Sequence, residues 1–200
     1  MSLNHREIVQ QVDLQLKVYP NTIMQTLVRK LGISEKIIEE AFQEAEGMSF
    51  QEYQANKRLE GAFAQMGELS IAANGPWERT RAKSRIIIPK ATVKYRIYSF
   101  WSRKSEYSNQ CPLVDFSSDG LALLADEFVQ PQKRIEIILR FPGEEPEIQV
   151  EGSIIYSVAT GIAGYRYRVG VRFFPFGKRK GINTPKAHEA LIRLEKIYSP

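Results

Sequence analysis

At Ile86 the apolar residues of this chain change their period, and that change limits what each part can fold into. Downstream, Ala91, Val93, Tyr95 and Ile97 alternate with Thr92, Lys94, Arg96 and Tyr98. A period of two is that of a strand with one buried face. Cys111–Ser117 and Gly120–Ala125 read as the next two strands. Residues 134–141 read as a fourth, ended by Pro142-Gly143. Ile148, Val150, Ile154 and Tyr156 mark a fifth strand, and Tyr165, Tyr167, Val169, Val171 and Phe173 a sixth. Short strands separated by turn signals predict a closed antiparallel barrel. Thr184 is placed to cap a final helix carrying Leu191, Leu194 and Ile197, which would pack over a barrel end.

Upstream of Ile86 the pattern is helical. Residues 5–17 carry Ile8, Val9, Val12, Leu14 and Leu16, and Pro20 ends the segment. Ile23, Leu27 and Leu31 form one stripe, broken by Gly32. Ser34 reads as an N-cap before Ile37, Ile38, Ala41 and Phe42, and Gly47 as a C-cap. Ser49 caps a further helix carrying Phe50, Tyr53, Leu59, Phe63 and Met66. Residues 68–76 read as a junction, because Asn74-Gly75-Pro76 breaks regular structure. The expected fold class is therefore α+β in two domains. A helical module spans 1–73, a linker with an arginine motif spans 74–85, and a barrel with a C-terminal helix spans 86–200.

Several function classes are disfavoured. No apolar run approaches the roughly 20 residues of a membrane span. The opening residues lack the apolar segment of a signal peptide, so a cytoplasmic location is expected. Cys111 has no partner for an internal disulfide, and His5 and His188 are too few for a His/Cys metal cluster. No nucleophile has a base placed to activate it, and no phosphate-cradling glycine loop follows a strand. The chain is not expected to be an enzyme.

Charge is unevenly spread. Residues 1–76 hold seven Lys/Arg and ten Asp/Glu, whereas residues 77–200 hold 21 and 13. The basic excess favours an anionic partner for the second part. Two short stretches there carry suitable chemistry. The first is Arg81-Ala-Lys-Ser-Arg85, and the second is Asp115-Phe-Ser117-Ser-Asp-Gly120. Arginine presents a flat fork of donors that fits phosphate or the O6/N7 edge of guanine. Asp115 and Ser117 share one strand face, which leaves Val114 and Phe116 for the core. Aspartate can accept from guanine N1–H and N2–H, and serine can donate or accept. Gly120 permits a positive φ or a close backbone approach. These pieces suit a guanine-bearing anion.

The two stretches, in this order and with strands around them, resemble the ligand signature of the PilZ domain family, over residues 77–199 or so. The resemblance implies a six-stranded antiparallel PilZ-like barrel that binds cyclic di-GMP as a ligand, not as a catalytic cofactor. Arg81 and Arg85 are then the arginine pair, with Asp115, Ser117 and Gly120 as the second motif. Arg79 is a weaker candidate that could assist with phosphates. Val169-Gly-Val-Arg-Phe173 is similar to the PilZ terminal strand. Arg166, Arg168 and Arg172 share its polar face, and Arg172 is the one expected to extend the cationic floor. In PilZ domains the arginine segment wraps the ligand when it is bound. Ligand binding is therefore expected to change how the two domains pack, with a protein partner reading the change.

The helical module is similar to one half of an AraC-type helix-turn-helix domain, carried by Leu27-Val-Arg-Lys-Leu-Gly-Ile-Ser34, Phe42 and Gly47-Met-Ser-Phe-Gln-Glu-Tyr53. That family usually has two such units, and one is visible here. The alternative function is thus a cyclic di-GMP-responsive DNA-binding regulator. The second helix disfavours it, since residues 35–46 hold five glutamates and one lysine, and carboxylates repel phosphate. A scaffold, a partner-docking surface or a homodimer contact are the other uses of this module.

Overall fold

Asn4 and Glu7 open the first helix reciprocally. Asn4 Oδ1 accepts from the Glu7 N–H, and Glu7 Oε2 accepts from the Asn4 N–H, both at 2.9 Å. This computed structural model describes residues 4–72, 85–98, 106–143, 146–179 and 182–199. Helix α1 (His5–Val18) is followed by α2 (Met24–Leu31), α3 (Glu35–Glu46) and α4 (Phe50–Ala72). Gly32 and Gly47 end α2 and α3 in the left-handed region, at φ 67° and 69°. The Ser34 hydroxyl accepts from the Ile37 N–H, as the cap reading expects. Ser49 and Glu52 cap α4 reciprocally, at 2.9 and 3.2 Å. Helix α4 runs to Ala72, into the stretch that reads as a junction.

The chain divides into two compact units, Met1–Ala62 and Phe63–Pro200. The first has its own core of Ile8, Val9, Val12, Leu16, Leu27, Ile38, Ala41 and Phe42, with Phe50 and Tyr53 against it. The Phe42 ring lies 5.6 Å from Phe50 and 4.9 Å from Tyr53. Ile23 does not join the Leu27 stripe. It lies just outside α2 in extended backbone and is 59% exposed.

The second unit contains six strands: β1 (Thr92–Ile97), β2 (Cys111–Ser117), β3 (Gly120–Ala125), β4 (Arg134–Arg140), β5 (Ile148–Ala159) and β6 (Tyr167–Phe173). They form a closed barrel in the order β1-β2-β3-β6-β5-β4, with every neighbouring pair antiparallel. Closure gives every strand two neighbours, with the β1–β2 seam paired at Thr92↔Pro112 and Val93↔Cys111. Val93, Leu113, Phe116, Leu121, Leu123, Ile135, Ile137, Leu139, Val150, Ile154, Val169 and Val171 fill the interior. Helix α5 (Pro185–Tyr198) adds Ala187, Leu191 and Leu194 to that core. Thr184 Oγ1 accepts from the Ala187 N–H at 3.2 Å, as a cap should. Ile197 is 55% exposed, because the 3.6-residue repeat through Ala187, Leu191 and Leu194 arrives at Tyr198 instead.

Two register shifts change which residues face inward. In β2 the ladder slips between Leu113 and Asp115, so Leu113, not Val114, joins Phe116 in the core. In β5 it slips between Ile154 and Tyr156. Tyr156 is thereby turned outward over Gly170, where an added Cβ would lie 2.2 Å from the Tyr156 ring.

Candidate functional site

The segment after the arginine motif is fixed to β2 by a pair of backbone hydrogen bonds. Ile86 N–H donates to Phe116 O at 2.9 Å, and Phe116 N–H donates to Ile86 O at 3.0 Å. Ile86 and Phe116 are both buried in the barrel core. With that bridge in place, Arg85 stands beside the outer face of β2. Its Nη1 donates to Asp115 Oδ1. Arg168 on β6 reaches the same carboxylate, donating from Nη2 to Oδ2 at 2.6 Å.

Asp115 is thus held from both flanks. Arg85 approaches from the side of the Ile86 bridge. Arg168 comes from β6 across β3, where the facing residues are Ala122 and Leu124. The Asp115 side chain is 8% exposed, that of Arg85 23% and that of Arg168 35%. Two guanidinium groups on one carboxylate leave a positive charge in excess. Taking a carboxylate out of water is costly unless it is paired and hydrogen-bonded, and here both oxygens are. Arg168 Nε is buried and has no hydrogen-bond partner among the described residues.

Below Asp115 the second motif makes the β2–β3 turn. Ser117 is buried; its hydroxyl lies 3.4 Å from Gly120 O, to which it donates, and 3.4 Å from the Asp119 N–H, from which it accepts. The Ser118 N–H donates to the Glu195 carboxylate of α5, which ties the helix to the turn. Gly120 does not use a positive φ. Its requirement is close approach, since a Cβ there would sit 2.2 Å from Val171 O. Of the two reasons for glycine that the sequence allows, packing against β6 is the operative one.

Backbone pairing aligns Asp115, Ala122, Gly170 and Tyr156 across four adjacent strands. The outer face therefore runs from a charged pair, over two small residues, to an aromatic ring. Ala122 is fully buried in this row and Gly170 lies under the Tyr156 ring, so the small residues here are packed over.

A second buried carboxylate lies on β4. Glu136 is 2% exposed and accepts from Arg96 Nε at 2.8 Å and Tyr98 Oη at 2.9 Å, and also from Tyr107 and Gln149. Burial alone would raise its pKa. Hydrogen bonds from Tyr107, Arg96 and Tyr98, with the Arg96 charge, outweigh burial and hold it below the ordinary value. Burial and the hydrogen bonds to Glu136 push Tyr98 and Tyr107 up to about 12. This network joins residues at both ends of the β1–β2 connection to β4, and its donors satisfy the carboxylate completely.

Of the residues singled out from the sequence, the structure brings together Arg85, Asp115, Ser117 and Gly120. Arg79 and Arg81 lie outside the described residues. Arg172 is exposed on β6, opposite Gly120 on one side and Ser153 on the other, and forms no ion pair with Asp115. The arginine that does so is Arg168, passed over in the sequence because strand parity puts both on one face. A cleft of about 660 Å³ opens between α5 and the β4–β5 hairpin, lined by Glu147, Lys186, Glu189 and Arg193 among others. None of the described motif residues lines it, and its charges are of both signs. No group of three or more His, Cys, Asp or Glu among the described residues could hold a metal ion. No helix among them is long and apolar enough to cross a membrane.

A closed six-stranded barrel with a cationic outer face is the class of domain that these features define. The PilZ domain family model matches residues 81–182, just over half of the chain, and the chain belongs to the PilZ domain family, whose domain binds cyclic di-GMP. A comparison with curated proteins gives no match. Among solved structures the chain is similar to the Bacillus subtilis inhibitor of motility (MotI/DgrA), at 14% identity and a TM-score of 0.42. That match covers 61% of this chain and 54% of the other, so the chain spans about half the length of that relative. It is also similar to a Xanthomonas campestris pathogenic protein described as a tetrameric PilZ domain self-assembled via a helical bundle. There the identity is 15% and the TM-score 0.34, with 87% of this chain and 76% of the other covered.

Proposed function

We propose that this protein is a cyclic di-GMP receptor that reports ligand binding to a protein partner through a change between its helical and barrel parts. The observation that carries the reading is the shared carboxylate, Asp115 between Arg85 and Arg168, on the outer face of a PilZ barrel. A dianionic ligand can draw Arg85 from Asp115, because each of its two phosphodiesters offers the same fork a bidentate anionic acceptor, and Asp115 keeps Arg168 as its counter-charge. Arg81 and Arg79 then supply further positive charge to the phosphates. Ser117 and the turn at Gly120 set the floor height beneath the base.

Residues 79–85 lie in sequence between the helical unit and the barrel. A ligand that binds them alters the link between the two parts, and it shifts their arrangement only by its differential affinity for the two states. Among the described residues, α3 exposes Glu35, Glu40, Glu44 and Glu46, which speaks against a DNA-reading role for that helix. The test has two readouts. Cyclic di-GMP should raise the melting temperature as a ligand of the folded state does. Small-angle X-ray scattering should show a different radius of gyration with ligand. A melting shift without a scattering change would leave the receptor and remove the rearrangement; no melting shift would remove both.

A further inference from the structure

Arg168 belongs to neither stretch of the ligand signature, yet it holds half of the Asp115 carboxylate. Its grip is incomplete. An arginine fork facing a carboxylate ordinarily gives two parallel N–H···O bonds. Here Nη2 donates to Oδ2 at 2.6 Å while Oδ1 is occupied by Arg85, and Nε is buried without an acceptor among the described residues. The two arginines reach Asp115 from opposite flanks of β2, so one can leave without dragging the other. Arg166 and Arg172, on the same face of the terminal segment, make no ion pair among the described residues.

We propose that Arg168 is the positioning residue of the base site: it takes over both oxygens of Asp115 when Arg85 turns to the ligand's phosphate, and so sets the preference for guanine. The inference rests on the receptor reading above and deepens it. Without Arg168, an 8% exposed carboxylate would lose its last counter-charge at the moment of binding. With it, the freed Oδ1 gives Arg168 Nε the acceptor it lacks, and the fork closes on both oxygens. A carboxylate has about four lone-pair sites, so about two remain for a ligand. Guanine presents two adjacent donors, N1–H and N2–H, that match two oxygens held in one plane. A carboxylate free to rotate would lose that match, because the pair of bonds requires both oxygens at once. Ala122, the β3 partner of Asp115, puts only a methyl group beneath the crossing fork.

The experiment is calorimetric titration of the full chain with cyclic di-GMP and with its inosine analogue, which lacks only the N2 amine. The wild type, Arg168→Met and Arg168→Lys are compared, each checked by thermal melting without ligand. Wild type should prefer the guanine ligand by about tenfold, the weight of one charge-assisted hydrogen bond. Arg168→Met should bind cyclic di-GMP about tenfold more weakly while its guanine-to-inosine ratio falls toward one. Arg168→Lys keeps the charge without the fork, and should recover affinity more than it recovers the ratio. An unchanged ratio in a folded Arg168→Met overturns the inference, whether or not affinity falls, since an equal loss for both ligands marks a phosphate or purely structural role. If Arg168→Met does not fold, Arg168→Lys decides by the same ratio. No binding by the wild type overturns the receptor reading and this inference together, which separates the two failures.

Discussion

Ile86 and Phe116 exchange both of their backbone hydrogen bonds, and this bridge decides where Arg85 stands. Both residues are buried, at 6% and 0% exposure, so the chain is anchored to the core immediately after Arg85. Ile86→Ala removes packing at a site that is closed all round, and should cost about 2–4 kcal/mol. Urea denaturation measures it. The same variant keeps the backbone bonds but loosens the anchor beside Arg85, and should weaken cyclic di-GMP binding; unchanged affinity would show that the buried Ile86 side chain does not position the site.

Gly120 tests the turn. A Cβ at 2.2 Å from Val171 O cannot be relieved by rotating a side chain, because the obstacle is backbone. Gly120→Ala should therefore destabilise the barrel by about 1–3 kcal/mol, the usual penalty for overpacking. At roughly 2–4 °C per kcal/mol for a chain of this size, thermal melting resolves it. A variant that melts with the wild type would remove the close-approach argument.

Glu195 tests the link between α5 and the motif. Its carboxylate accepts from the Ser118 N–H, and a hydrogen bond to a charged acceptor is worth about 1.5–3 kcal/mol where it is well shielded. Glu195 is only partly buried, so Glu195→Ala should lie near or below the lower end of that range. Hydrogen exchange of the Ser118 amide should rise in the variant. If its protection is unaltered, the helix does not hold the turn.

Glu136 gives the barrel a pH signature with two limbs. Its folded pKa is held below the ordinary 4.5, so the stability it contributes is present above 4.5 and is lost as pH falls through the folded value. Tyr98 and Tyr107 are raised from 10.0 to about 12, so their contribution is present below 10.0 and is lost as pH rises toward about 12. Denaturation midpoints taken in acid, neutral and alkaline buffers should be highest in the middle. Glu136→Gln should cost about 1–3 kcal/mol at neutral pH and flatten the acid limb. A variant with the wild-type acid limb would place the effect on other carboxylates.

Much of the barrel is legible in the sequence because alternation is a local property. Gly120–Ala125 and Cys111–Ser117 can be bounded from residue types alone, and Thr184 announces α5. What alternation cannot show is a slip in the ladder. Val114 reads as a core residue because it shares parity with Phe116, and only the bulge after Leu113 reverses that. Tyr156 is turned outward for the same reason. Which of Arg168 and Arg172 reaches Asp115 is hidden from the sequence on another ground. Both have the right parity, and deciding which reaches Asp115 requires knowing that β6 lies next to β3 and that Arg168 pairs with Leu124. Strand order and register are non-local facts that composition does not carry. The helical part shows the converse limit. Ile23 has the spacing of a stripe residue but falls one position before the helix begins.

The central claim is that Arg85 changes partner, from Asp115 to a ligand phosphate. Calorimetric titration of cyclic di-GMP into the wild type and into Arg85→Ala tests it most directly. The account predicts saturable binding by the wild type and a loss of about 2–5 kcal/mol in the variant, the cost of removing one member of a desolvated charge pair. Equal binding by the two proteins, or no heat and no melting shift with the wild type, would contradict it.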